Sequence, residues 1–121
     1  MAKILVVDDS EHLILLLSQI LIQNGYEVET AVSKKELVNH LLSLTPDLIF
    51  LDIRLSGDDG RKICRDLKAN STYKNIPIIL MSADADLLET FAEFGADDMI
   101  GKPFDRNLVL EKASGLLNPA S

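Results

Sequence analysis

Five residues capable of polar chemistry stand directly at the ends of short apolar runs. Asp8 and Asp9 close ILVVDD, Asp52 closes LIFLD, Ser82 follows IILM, and Lys102 follows DMIG and precedes Pro103. Two adjacent aspartates at the end of a buried segment call for a counter-charge or a use. Like charges ~4 Å apart repel by roughly 4 kcal/mol at an effective dielectric of about 20. Three carboxylates suit a hard cation such as Mg²⁺ (or Mn²⁺), which takes oxygen ligands in octahedral geometry and often shares its shell with a phosphoryl group. Asp9 and Asp52 are the expected direct ligands. Asp8 is expected to act through a water, and the backbone carbonyl of Arg54 to complete the protein's share. A carboxylate in that setting can also be a nucleophile towards phosphorus. Asp52 is the candidate, with Lys102 and the metal neutralising the incoming phosphoryl charge and Ser82 donating a hydrogen bond to one of its oxygens.

Those residues need a scaffold that brings strand ends together. Strand-like runs fall at Ile4–Val7, Glu27–Ala31, Leu48–Leu51, Ile78–Met81 and Asp98–Gly101, with helical spacing between them. Leu13, Leu16, Leu17, Ile20 and Leu21 form the stripe of a first helix, stopped by Gly25. Ser33 and Glu36 make a capping box for a second helix, which ends before Pro46. Further helices are expected over 61–69, 86–94 and 105–117. Alternation of strand and helix predicts a doubly wound α/β fold with a parallel sheet covered on both faces. The first, third and fourth strands are apolar throughout and belong in the centre, whereas the mixed second and fifth belong at the edges. Sites in such sheets form beyond the carboxyl ends of the strands. Asp8, Asp9, Asp52, Ser82 and Lys102 are therefore expected on one rim.

Composition narrows the classes of function. The 121 residues hold 12 Lys and Arg against 19 Asp and Glu, a net charge of −7. An acidic chain without a basic cluster is a poor ligand for nucleic acid, whose affinity for proteins comes largely from cations. Aliphatic runs fall short of the ~20 residues of a membrane span. The single cysteine, Cys64, excludes an intramolecular disulfide and reads as a buried core residue. A cytoplasmic protein of one domain over 1–121, with no output domain, is the expectation.

The segments VVDDS, PDLIFLDIRLSGDDG, IPIILMSA and FGADDMIGKPF occur in this order along the whole chain. Taken together they resemble the receiver domain of two-component response regulators. The resemblance implies a five-stranded sheet of order 2-1-3-4-5 flanked by five helices, a flavodoxin-like receiver fold. It implies Asp52 as phospho-acceptor, Asp8 and Asp9 as the acidic pair, Ser82 as the hydroxyl position, Lys102 as the lysine, and a cis Lys102–Pro103 peptide. It implies a phosphohistidine donor on a sensor histidine kinase or a histidine phosphotransfer protein. The family commonly carries an aromatic residue three positions before the lysine, as part of a switch with the hydroxyl residue. Here Met99 stands there, flexible enough to fill the space but without a ring.

Other readings bear on the remaining residues. Asp8 and Asp9 could simply cap the first helix, and Asp58 and Asp59 read as a solvated loop with turns at Gly57 and Gly60. His12 and His40 read as surface or boundary residues. Ile14, Leu15 and Ile22 lie off the main stripe of the first helix, either as a broad core contact or as a patch on which a partner's helices dock. Three further functions are weighed. A small Mg²⁺-dependent phosphohydrolase of the haloacid-dehalogenase kind would want a second Asp at the position of Arg54. A flavin mononucleotide site would want a phosphate-cradling loop where the Asp8–Asp9 pair stands. A receiver working by docking alone would not need the acid triad.

Overall fold

A computed structural model describes residues 2–118. Five parallel strands, β1 (Lys3–Val7), β2 (Glu27–Ala31), β3 (Leu48–Asp52), β4 (Ile78–Ser82) and β5 (Asp98–Gly101), form one sheet of order β2-β1-β3-β4-β5. The helices are α1 (Glu11–Gln23), α2 (Lys34–Ser43), α3 (Gly60–Lys68), α4 (Ala85–Leu88) and α5 (Arg106–Leu117), with a 3₁₀ turn over Phe91–Phe94. This is the doubly wound sheet expected from the strand–helix alternation, with β2 and β5 at the edges. No described helix is long and apolar enough to cross a membrane.

Strand alternation divides the core in two. Leu5, Val7, Ile49, Leu51, Ile78 and Leu80 face α2, α3 and α4. Ile4, Val6, Leu48, Phe50, Ile79 and Met81 face α1 and α5. Each of these residues is fully buried, which is why the three central strands read as unbroken apolar runs rather than as alternating ones.

Local chemistry sets the helix ends. Ser10, not Asp8 or Asp9, caps α1, accepting from the Leu13 N–H at 3.3 Å, so the acidic pair is not needed as a cap. Gly25, with φ of 91°, follows the α1 C-cap as the sequence suggests. Ser33 accepts from the Glu36 N–H at 3.2 Å, while the Glu36 carboxylate reaches one residue further back, to the Val32 N–H at 3.1 Å.

Three expectations need correction. The helix predicted over 86–94 is broken into the single turn of α4 and the 3₁₀ turn. The Thr90 hydroxyl donates to the Leu87 carbonyl at 2.6 Å at the join, a local bond that competes with helix continuation. Ile14 is core, only 8% exposed, whereas Leu16 of the predicted stripe is 41% exposed. The buried centre of α1 thus runs through Ile14, Leu17 and Leu21, and Leu16 lies at its edge. Finally, the segment after Asp52 is not a plain solvated loop. Arg54–Leu55 pairs with Asp58–Asp59 in an antiparallel hairpin whose turn residues, Ser56 and Gly57, have φ of 43° and 88°. Positive φ at both centres is what a tight two-residue hairpin turn requires.

Gly60 serves close packing rather than the turn. Its N–H donates to the Ile53 carbonyl at 2.6 Å, and a Cβ there would collide with the carbonyl oxygen of Asp52. The start of α3 therefore rests on the backbone of Asp52 itself. We expect Gly60→Ala to cost about 2 kcal/mol or more, measured as a lower midpoint in urea unfolding with an unchanged slope.

Candidate functional site

The carboxyl ends of β1, β3, β4 and β5 bring Asp8, Asp9, Asp52, Ser82 and Lys102 to one rim. Asp8 is almost fully buried at 1% exposure, anchored by its own N–H to the Ala31 carbonyl at 3.1 Å. Its Oδ1 accepts from the Ser10 N–H at 2.9 Å. Asp52 ends β3 in register with Met81 of β4 and is 4% exposed. Its Oδ1 accepts from the Arg54 N–H at 3.3 Å. Ser82 is buried, and its Oγ accepts from the Asp84 N–H at 3.0 Å, leaving the hydroxyl proton available for donation. Lys102 is held by its N–H on the Ser82 carbonyl at 3.0 Å and is followed by a cis bond to Pro103.

Lys102 supplies the counter-charge that the acidic pair calls for. Its ammonium lies 2.7 Å from Asp8 Oδ2 and 3.3 Å from Asp52 Oδ1. One cation thus bridges two buried anions from different strands. A carboxylate oxygen from each of Asp8, Asp9 and Asp52 lies within 4.8 Å of the others. Asp8 Oδ2 is buried, ion-paired but without an aligned hydrogen bond, so it retains acceptor capacity. Asp9 is exposed, and its Oδ2 takes the N–H and hydroxyl of Ser56 at 3.1 and 3.3 Å. An all-oxygen set of three carboxylates with acceptor capacity to spare fits a hard divalent cation.

Burial, and then the charge of Asp8, push the Asp52 carboxyl up to about 6, while Lys102 and the Arg54 N–H pull it down. Asp9, Asp52, Ser82 and Lys102 line an open cleft of about 650 Å³, shared with Arg54, Ala83, Asp84 and Ala85. At its mouth the Arg54 guanidinium meets Asp84 at 3.5 Å, across exposed side chains. Burial likewise raises the Cys64 thiol to about 11, in keeping with a core cysteine and not a reactive one.

Several members of this neighbourhood escape the sequence. The hairpin turn at Ser56 holds Asp9, and Asp84 both caps α4 and faces Arg54. The Ser56–Gly57 dipeptide, a turn-forming pair, is the sequence signal that would have revealed the hairpin. Asp59 caps α3 and is paired with Arg61 at 2.9 Å, which holds its carboxyl below the usual range, and is not merely solvated. His40 meets the Thr30 carbonyl at 2.9 Å, a boundary role as expected. Of the α1 patch, Leu15 and Ile22 are 59% and 57% exposed, while Ile14 is buried beneath them.

With the rim assembled, comparison with known proteins is decisive. Residues 4–114 match the response regulator receiver domain family. The chain belongs to that family. It is 36% identical over 119 residues to the response regulator ArlR of Staphylococcus saprophyticus, covering 97% of this chain and 53% of that protein. It is 38% identical over 119 residues to the uncharacterised transcriptional regulatory protein YvcP of Bacillus subtilis, covering 97% of this chain and 49% of that one. The chain therefore spans about half the length of these relatives. Among solved structures, the receiver domain of NtrX from Brucella abortus superposes with a TM-score of 0.88 at 30% identity, over 98% of this chain and 99% of that one. The chemotaxis response regulator CheY4 of Vibrio cholerae superposes with a TM-score of 0.88 at 28% identity, over 97% and 99%.

The raised carboxyl of this receiver domain has a consequence for stability. Asp52 binds its proton more tightly folded than unfolded, so ionising it disfavours the fold. Stability from this group is fully present below the ordinary carboxyl value of 3.8 and is lost as pH rises towards 6. Asp52→Asn should therefore stabilise the metal-free protein at pH 7.5 by about 1–2 kcal/mol, after discounting for solvent screening. The gain should vanish near pH 4. Thermal unfolding of both proteins in chelator across that range is the check; a gain independent of pH would contradict the assignment.

Proposed function

We propose that this receiver domain accepts a phosphoryl group on Asp52 from a phosphohistidine of a sensor histidine kinase or histidine phosphotransfer protein, and that the modification switches binding to a downstream partner. The observation that carries the reading is the placement of Asp52, a buried carboxylate facing an open cleft between an ammonium and two further carboxylates. Residues 1–121 are read as one receiver domain.

In this reading Asp52 Oδ1 stays engaged by Lys102 and the Arg54 N–H, and Oδ2 attacks phosphorus. A phosphorus–oxygen bond forms as the phosphorus–nitrogen bond to histidine breaks, and the bond's electron pair leaves with the imidazole. The ammonium of Lys102 pairs with one phosphoryl oxygen, and the Ser82 hydroxyl turns its free proton towards another. Asp9 and Asp52 would hold Mg²⁺ directly, Asp8 through water, and the Arg54 backbone carbonyl would complete the set. Bound there, the ion neutralises carboxylate and phosphoryl charge together.

The new charge at the rim is read out through the 84–94 segment, β5 and α5. Met99 lies on β5, half-buried against the core face that carries α3 and α4. There it moves with its surroundings by bending rather than by ring rotation. Leu15 and Ile22, the exposed apolar pair on α1, form the docking surface for the donor.

The test is intact mass after incubation with Mg²⁺ and acetyl phosphate. One added phosphoryl group is expected, absent without Mg²⁺ and absent in Asp52→Asn. No addition in the native protein would overturn the chemistry and leave a module that works by docking alone. Ile22→Asp should label normally with acetyl phosphate yet receive phosphoryl at least about ten-fold more slowly from its kinase, since a buried charge in an apolar contact is costly. Equal loss with both donors would remove α1 as the docking surface.

A further inference from the structure

The 84–94 segment is short of its own means of support. One turn of α-helix and one of 3₁₀ are far below the length at which a helix stands alone. Its charged residues, Asp84, Asp86, Glu89 and Glu93, are all acidic. The cations that hold it come from elsewhere, and one of them is used three ways. The Arg61 guanidinium makes a two-pronged contact with Asp59, Nε to Oδ1 at 3.2 Å and Nη2 to Oδ2 at 2.9 Å. Its remaining arm, Nη1, donates to the Thr90 hydroxyl at 3.1 Å. Its carbon lies 5.0 Å from the centre of the Phe94 ring.

These contacts join two regions that matter to the rim. Asp59 is the last residue of the hairpin that starts two positions after Asp52, and the residue following it, Gly60, packs on the Asp52 carbonyl. Thr90 sits at the break between α4 and the 3₁₀ turn, where its hydroxyl accepts from Arg61 and donates to Leu87. Phe94 closes the far end of the segment. The hydrogen-bonded Asp59 carboxylate, with the lesser help of the Glu93 and Asp84 charges, holds Arg61 firmly protonated. Lysine could not replace it, because one ammonium cannot span the planar fork, the hydroxyl and the ring together.

We propose that Arg61 is the positioning residue that latches the 84–94 segment to the hairpin following Asp52, and thereby couples the two. The latch is a property of the unmodified protein; its use in signalling rests on the phosphoryl-accepting reading above. Asp59 gives it a fixed base on the acceptor side, and Thr90 and Phe94 are what it grips. Displacement of the hairpin when Asp52 gains charge is passed to the segment chiefly through this side chain, the exposed Arg54–Asp84 pair at 3.5 Å being the weaker link.

Amide exchange followed by mass spectrometry on the full chain tests the latch without any ligand. In Arg61→Ala, exchange over 86–94 should be about ten-fold faster, while β1 and β3 stay within about two-fold of wild type. Arg61→Lys, which keeps the charge but loses the planar fork, should give a smaller increase confined to the same residues. Unchanged exchange over 86–94 overturns the latch. So does equal acceleration of the central strands, which would make Arg61 a general support of the fold. The coupling is then read with Mg²⁺ and beryllofluoride, an acyl phosphate mimic whose binding is seen independently by ¹⁹F NMR. Wild type should change its exchange over 86–94 on binding, whereas Arg61→Ala should keep the fluorine signal and lose most of that change. A full change in the variant overturns the coupling. A missing fluorine signal in wild type overturns the phosphoryl-accepting reading and the latch's use in signalling, while the ligand-free comparison still decides the latch itself.

Discussion

Everything at the rim depends on one ammonium group. Lys102 stands between Asp8 and Asp52, 2.7 and 3.3 Å from their oxygens, and both carboxylates are buried. Without a cation in that position, the ends of β1 and β3 would carry uncompensated negative charges side by side in a low-dielectric setting, a costly arrangement. One lysine does not neutralise three carboxylates, however. The excess shows in the Asp52 carboxyl, which is held up to about 6 by burial and by Asp8 in spite of the lysine. A site left short of positive charge, whose acceptors are all carboxylate oxygens and which opens to a cleft, is suited to take up a cation and then a phosphoryl group. The same shortage that disfavours the resting fold would thus be relieved by the proposed ligands.

The surrounding structure serves to hold that geometry. Parallel pairing of β1, β3 and β4 aligns their ends to within a residue, so side chains distant in sequence converge. The hairpin after Asp52 reaches back to Asp9 through Ser56, and Gly60 lets α3 begin directly on the Asp52 backbone. From that base Arg61 extends to the broken α4 region. A chemical event at Asp52 therefore has short physical routes in two directions, to the acidic pair and to the outer surface of the domain.

Much of this was legible in the sequence because it rests on periodicity and on strand ends. The runs ILVV, LIFL and IILM are apolar at every position, which only strands buried on both faces tolerate, and the polar residue after each marks the rim. The sheet order and the convergence of Asp8, Asp9, Asp52, Ser82 and Lys102 follow from that pattern and the family resemblance. What was not legible depends on individual side chains meeting across the fold. Whether Ile14 or Leu16 faced the core turned on the exact rotation of α1, since Leu16 stood in the expected stripe and Ile14 just off it. The break at Thr90 arises from a hydroxyl bond and an arginine 29 residues away, neither visible as helical periodicity. Gly60 looked like a turn glycine because its tight contact is with a backbone atom eight residues earlier.

The most direct test of the Lys102 counter-charge is a ¹³C NMR titration of the Asp52 carboxyl in chelator, comparing wild type with Lys102→Met, which keeps the side chain's length and removes its charge. If the ammonium is what restrains the cluster, the Asp52 carboxyl of the variant will titrate at least about one unit above its already raised wild-type position. A midpoint that is unchanged or lower in the variant would contradict the claim that Lys102 is the charge on which the rim depends.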